Sequence, residues 1–164
     1  MSRTQIFTDH RDEGGNTLLM RAALDGQTET VKALLRKGAD VNAQNLEGRT
    51  ALMFAIINLR TATVKTLLQF GADVNVQARC GCTPLTLAAC SGDIEITQAL
   101  LNRGADARRI YRPGKTAMVV AIEHGYKAIA ELLKRAMESP PLNPEKRASE
   151  IVSRERSVVL STTN

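Results

Sequence analysis

Set in rows of 33, the chain lines up with itself four times. The rows open G-N-T-L-L-M-R-A at Gly15, G-R-T-A-L-M-F-A at Gly48, G-C-T-P-L-T-L-A at Gly81 and G-K-T-A-M-V-V-A at Gly114. Four columns keep one residue type throughout. They are Gly15, Gly48, Gly81 and Gly114; Thr17, Thr50, Thr83 and Thr116; Ala22, Ala55, Ala88 and Ala121; and Leu34, Leu67, Leu100 and Leu133. At residue frequencies of roughly 5–10%, a column agrees four times over by chance about once in a thousand. Four such columns among 33 therefore mark a true period. Units this short cannot bury an apolar side alone and must bury it against the next unit in line.

The chemistry within a row says what each unit is. The Thr column can cap a helix, its hydroxyl accepting a backbone N–H, an interaction worth about 1 kcal/mol. The Ala column further on keeps that first helix slim enough for close packing. A second helix follows, with apolar spacing at Val31, Leu34 and Leu35, at Val64, Leu67 and Leu68, and at Ile96, Leu100 and Leu101. That is one stripe of a 3.6-residue period. Gly38, Gly71 and Gly104 stand just past it, where a left-handed residue ends a helix without a Cβ penalty.

Three rows also close with G-A-D, twice continuing as G-A-D-V-N. Taken with G-x-T-x-L and the Leu pairs, the chain resembles the ankyrin repeat family over about residues 12–137. It departs from the family pattern in two columns. Only Pro84 keeps the family proline, and Met20, Met53, Thr86 and Val119 replace the family histidine. The resemblance implies an all-α solenoid of four stacked helix-turn-helix units with projecting turns. The rows place an irregular segment at 1–11, repeats at 12–44, 45–77, 78–107 and 108–138, and a Pro-containing linker and flexible tail at 139–164. A short helix over 144–156, opened by Asn143-Pro144, is the alternative for that tail. Both ends of the array read as caps: Gly26-Gln27-Thr28-Glu29 is polar, and Lys134 replaces the second Leu of the pair.

Composition removes several classes of function. Aromatics are 3% with no Trp, too few for a base-stacking platform. No apolar run nears the ~18 residues that span a bilayer. An apolar leader is missing and the Cys count is three, so the expectation is a cytoplasmic chain without a disulfide framework. The net charge of +5 is local, with seven basic against three acidic side chains in residues 108–139. No general affinity for polyanions follows from a local excess.

Individual motifs are absorbed by the repeat. Gly114-Lys115-Thr116 mimics the end of a phosphate-binding loop, but the glycine that motif needs at 109 is Arg. Cys80, Cys82 and Cys90 have C-x-C spacing plus an isolated third, unlike a four-ligand zinc set, and read as surface cysteines. His124 is a full row away from them. Asp40, Asp73 and Asp106 recur in equivalent turns, where each suits a local backbone bond rather than a shared substrate. The expectation is no enzyme, no cofactor and no metal. Arg108-Arg109-Ile110-Tyr111-Arg112-Pro113-Gly114-Lys115 is the main departure, placing four positive charges and a Tyr in one turn.

In the ankyrin family the usual partner-binding face is the concave one, made of turn tips and first helices. Carried over column by column, it comprises Glu13, Asn16, Leu24 and Asp25, then Leu46, Glu47, Arg49, Phe54, Ile57 and Asn58. The third and fourth rows add Arg79, Cys80, Cys82, Leu87, Cys90, Ser91, Arg112, Lys115, Glu123 and His124. Leu46, Phe54, Ile57, Leu87 and Cys90 would form an apolar centre rimmed by charge, with Phe54 and Leu87 alternatively packed between repeats. Acidic Glu13, Asp25 and Glu47 lie toward one end and basic Arg79, Arg112 and Lys115 toward the other. The resemblance implies a protein-interaction module or adaptor. The charge gradient adds the expectation of a partner with its acidic segment toward the fourth repeat, and a monomer is the default expectation. The alternative is a nucleic-acid-associated regulator touching phosphates through Arg108, Arg109, Arg112 and the tail.

Overall fold

The computed structural model describes residues 10–111 and 114–138. Four helical hairpins follow one another along the chain. They are α1 (Leu18–Asp25) with α2 (Thr28–Arg36), α3 (Ala51–Ile57) with α4 (Thr61–Gln69), α5 (Pro84–Ser91) with α6 (Ile94–Asn102), and α7 (Ala117–Glu123) with α8 (Lys127–Glu138). First helices pack on first helices and second on second, so each hairpin makes its main contacts with its neighbours. The solenoid is all-α apart from the last turn, where β1 (Ile110–Tyr111) pairs antiparallel with β2 (Lys115–Thr116). The earlier turns make an equivalent bond, as from the Ala78 N–H to the Cys82 carbonyl (3.0 Å), and the first also pairs Arg11 with Thr17 as the fourth pairs Ile110 with Thr116. The expected tail helix over 144–156 lies outside the described residues.

Every first helix starts as its threonine dictates. Thr17, Thr50, Thr83 and Thr116 accept from the N–H three residues on, at 3.3, 3.4, 3.3 and 3.5 Å. Two of the histidine replacements return the bond. Thr86 Oγ1 accepts from the Thr83 N–H at 2.8 Å, and the Met20 sulfur accepts from the Thr17 N–H at 3.4 Å. A reciprocal cap needs only an acceptor at that position, not an imidazole.

The core is a single ribbon running the length of the stack. Ala55, Ala88 and Ala121 are fully buried, as are Leu67, Leu100 and Leu133, each of which fills the seam between successive hairpins. Leu34, in the first hairpin, is only half-buried, whereas Leu133 in the last is fully buried. Polar ties run between units. Asn42 Oδ1 accepts from the Asp73 N–H (2.8 Å), Asn75 Oδ1 from the Asp106 N–H (2.9 Å), and Arg103 Nη1 donates to the Leu68 carbonyl (2.6 Å). Asp40, Asp73 and Asp106 each accept from the N–H two residues on, at 2.9, 2.8 and 3.0 Å, the local turn role expected of them.

The loop between the two helices of a hairpin holds one conflict. Its left-handed column is Gly26, Gly92 and Gly125 in three hairpins but Leu59 in the second, at φ +54°. A side chain in that conformation costs about 1–2 kcal/mol, partly offset by the extra freedom glycine has when unfolded. Leu59 is 52% exposed, so little burial compensates. Leu59→Gly is expected to stabilise the protein by about 1 kcal/mol, seen as a higher midpoint in thermal unfolding followed by circular dichroism. A lower midpoint would mean that the Leu59 side chain contributes more than its strain removes.

Candidate functional site

The turns and first helices carry the side chains singled out above. Turn backbones are laced together, with the Leu46 N–H on the Gly14 carbonyl (3.1 Å) and the Arg79 N–H on the Glu47 carbonyl (2.9 Å). Contact is close enough that a Cβ on Gly15 would meet Leu46 Cγ at 3.1 Å, and one on Gly48 would meet the Arg79 nitrogen at 3.2 Å. The first three turn tips thereby fix one another and form a rigid edge.

Two adjoining clefts indent this edge. Leu46, Glu47, Arg49, Arg79 and Cys80 line the first, and Gln77, Ala78, Arg79, Gly81, Ile110, Tyr111 and Gly114 line the second. Arg79 is common to both. Its side chain is exposed and makes no ion pair or hydrogen bond to the described residues. The charges around it are already spent. Arg49 pairs with Glu47 (3.1 Å), and Lys115 Nζ holds both oxygens of Glu123 at 2.6 and 2.7 Å. That hydrogen bond, more than the charge beside it, raises the Lys115 pKa.

The basic turn accordingly differs from the expected open cluster of four positive charges. The Arg108 guanidinium donates to the Met137 carbonyl of α8, and Arg109 Nη1 donates to the Asn75 carbonyl at 3.0 Å. Both arginines tie the last hairpin to its surroundings. Arg112 lies outside the described residues.

The expected apolar centre splits in two. Leu46 is 59% exposed, and Ile57 (41%) and Leu24 (39%) are similarly open. Phe54 and Leu87 are half-buried and pack against the core ribbon, which is the between-repeat alternative. Glu13 and Asp25 are exposed. Asn16 is half-buried and tied to Asp12 (3.1 Å) and to Asn45 (2.8 Å). Asp12 also accepts from the Asn16 and Gly14 N–H groups, and these bonds, the Asn16 one foremost, hold its carboxyl below the usual carboxylate range. Asn58 and Ser91 spend side-chain donors on the Phe54 and Leu87 carbonyls at 2.9 Å each.

The cysteines are not equivalent. Cys80 and Cys90 are exposed, but Cys82 is half-buried rather than a surface cysteine, and burial first, then its Cys80 neighbour, pushes its thiol up to about 11. No group of three or more His, Cys, Asp or Glu is placed to hold a metal among the described residues. Cys90 instead faces His124, Sγ to Nε2 at 3.7 Å. Sequence reasoning set these two apart for being a full row distant. In a stack, one period of separation along the chain is adjacency in space, and that was the signal available. No helix among the described residues is long and apolar enough to cross a membrane.

A family model described as ankyrin repeats (3 copies) matches residues 4–78 and again 60–141. Comparison with curated proteins gives no match.

Proposed function

Because the chain belongs to the ankyrin repeat family, whose members are generally protein-interaction modules, we propose that it is a non-catalytic adaptor binding a protein along its turn tips and first helices. The observation that carries this reading is the first cleft. There exposed Leu46 lies beside exposed Arg79, unpaired among the described residues, on a backbone the neighbouring turns already hold in place. Apolar contact rimmed by a charge that has no partner among the described residues is how recognition patches are built. A pre-fixed edge also lowers the ordering cost of binding.

The acidic-partner preference keeps its direction but moves its centre. Arg79 is the described basic residue best placed to receive a carboxylate, since Lys115 is neutralised by Glu123 and Arg108 and Arg109 are engaged with backbone carbonyls. Those same engagements weigh against the nucleic-acid alternative, which needs several free cations in one patch. The family is generally a non-catalytic scaffold, and the absence of an enzymatic role is part of this proposal.

The test is selection of peptides displayed on phage against the immobilised chain, followed by affinity measurement. Enriched peptides are expected to combine Asp or Glu with apolar residues. Arg79→Glu is expected to weaken them by about tenfold, or ~1.4 kcal/mol, and Leu46→Asp by as much, with the circular-dichroism melt unchanged. Peptides that bind both variants as well as the parent would refute this placement of the site.

A further inference from the structure

We propose that Cys90 and His124 form a nucleophile–base pair, making Cys90 a modification site for soft carbon electrophiles such as α,β-unsaturated carbonyl compounds. Cys90 sits near the C-terminal end of α5, and His124 caps the C-terminal end of α7 in the next hairpin. The stacking of one unit on the next brings their side chains together at 3.7 Å. His124 Nδ1 lies 2.9 Å from the Val120 carbonyl. A carbonyl can only accept, so Nδ1 carries the hydrogen, and Nε2 is left with its lone pair toward the Cys90 sulfur. The Tyr126 ring stacks on the imidazole, 12° from parallel with centroids 6.0 Å apart, and holds its plane. Nucleophile, base and the groups that orient the base are thus all in place, the arrangement that activates a thiol.

The surroundings leave the proton transfer to this pair. Of the first helices meeting here, α3 and α5 carry no charged residue and α7 carries one, Glu123, whose carboxylate is held by Lys115. The Asp93 carboxylate at the start of α6 accepts from the Ile96 N–H (2.9 Å) and faces Thr61. The partial negative charge at the end of α5 disfavours a thiolate standing alone and favours an imidazolium next to it. Both groups are exposed, so reagent can reach them.

In the reaction, Nε2 takes the thiol proton and the sulfur electron pair attacks the β-carbon of the electrophile. An S–C bond forms, the C=C π pair moves toward the carbonyl, and the resulting enolate is protonated at its α-carbon by the imidazolium. Nothing leaves and nothing is oxidised. The other cysteines provide internal comparisons: Cys80 is exposed without an imidazole, and Cys82 is half-buried with its thiol pushed up to about 11.

The test is labelling of the intact chain by N-ethylmaleimide, from about pH 5.5 to about pH 9, with peptide mapping by mass spectrometry. Cys80, with no imidazole beside it, sets the reference profile against which Cys90 is read. Cys90 is expected to react several-fold faster than Cys80 below neutrality and to depend less steeply on pH. His124→Gln keeps the size of the side chain but removes its basicity, and should bring the Cys90 profile onto that of Cys80. Parallel Cys80 and Cys90 profiles in the parent chain would overturn the proposal, as would an unchanged Cys90 profile in a folded His124→Gln variant. The parent profile needs no variant and decides even if the substitution unfolds the last hairpin. None of these outcomes depends on the proposed partner.

Discussion

Leu67→Ala is expected to cost about 3–4 kcal/mol, whereas Leu34→Ala in the same column should cost half that or less. Leu67 is wholly buried, with α4 gripped by α2 on one side and α6 on the other. Leu34 is half-buried in a terminal hairpin with a single neighbour. Truncating Leu67 leaves a cavity in a seam that rigid helices on both sides cannot close, so transfer and cavity terms add. A total stability of about 5–15 kcal/mol makes such a loss a large fraction of the whole. In a stack stabilised by nearest neighbours, it also weakens the coupling between halves. Urea unfolding should therefore show a lower midpoint for Leu67→Ala together with a shallower slope, and for Leu34→Ala a lower midpoint only. Equal losses at the two positions would show that the end hairpin is as constrained as the middle.

Gly92→Ala is expected to cost about 2–3 kcal/mol and Gly125→Ala about 1. Both glycines sit in the left-handed region, at φ +75° and +78°, so the backbone penalty is shared. What differs is the neighbour. A Cβ on Gly92 would fall 2.5 Å from the Tyr126 ring, while one on Gly125 meets nothing within 4 Å. In a Tyr126→Ala background the Gly92→Ala cost should drop to the Gly125 level, a coupling that a double-mutant cycle measures directly. Thermal unfolding of the four Gly92 and Tyr126 combinations is sufficient. A cost for Gly92→Ala that ignores Tyr126 would mean the ring swings away freely, and with it the surface that orients His124.

How far the sequence could be read follows from what repeats. Thr17, Thr50, Thr83 and Thr116 recur because every hairpin needs the same cap, and the structure finds all four caps. Gly38, Gly71 and Gly104 recur because the first three second helices end the same way, while α8 runs on through Met137 in that column. Features peculiar to one unit left no such trace. The Lys115–Glu123 pair spans eight residues across a turn and a helix, a separation with no periodic signature. It neutralises a charge that composition had counted as available. Arg108 and Arg109 looked like a binding cluster because sequence shows charge but not the carbonyls that guanidinium groups can satisfy. Phe54 was legible as facing the first-helix side, but its half-burial depends on how closely α3 approaches its neighbours, which is a distance and not a pattern.

The polar ties between neighbouring units have one more implication. Thr28 to Thr63, Asn42 to Asp73, Lys65 to Glu95, Leu68 to Arg103 and Asn75 to Arg109 span 30 to 35 positions, each close to one row. A tandem duplication of the segment 45–77, spliced in after itself, would keep the ties to the units on either side. At the new junction it would set Thr61 against a second Thr63 and Asn75 against a second Asp73, while Ala62, Phe70 and Val76 stand there in place of Glu95, Arg103 and Arg109. Lengthening such a molecule keeps the threonine and asparagine ties and loses the charged ones at the new seam. Gene-level stuttering at this spacing thus offers evolution, or an engineer, a longer edge that three substitutions, Ala62→Glu, Phe70→Arg and Val76→Arg in the second copy, would fully lace.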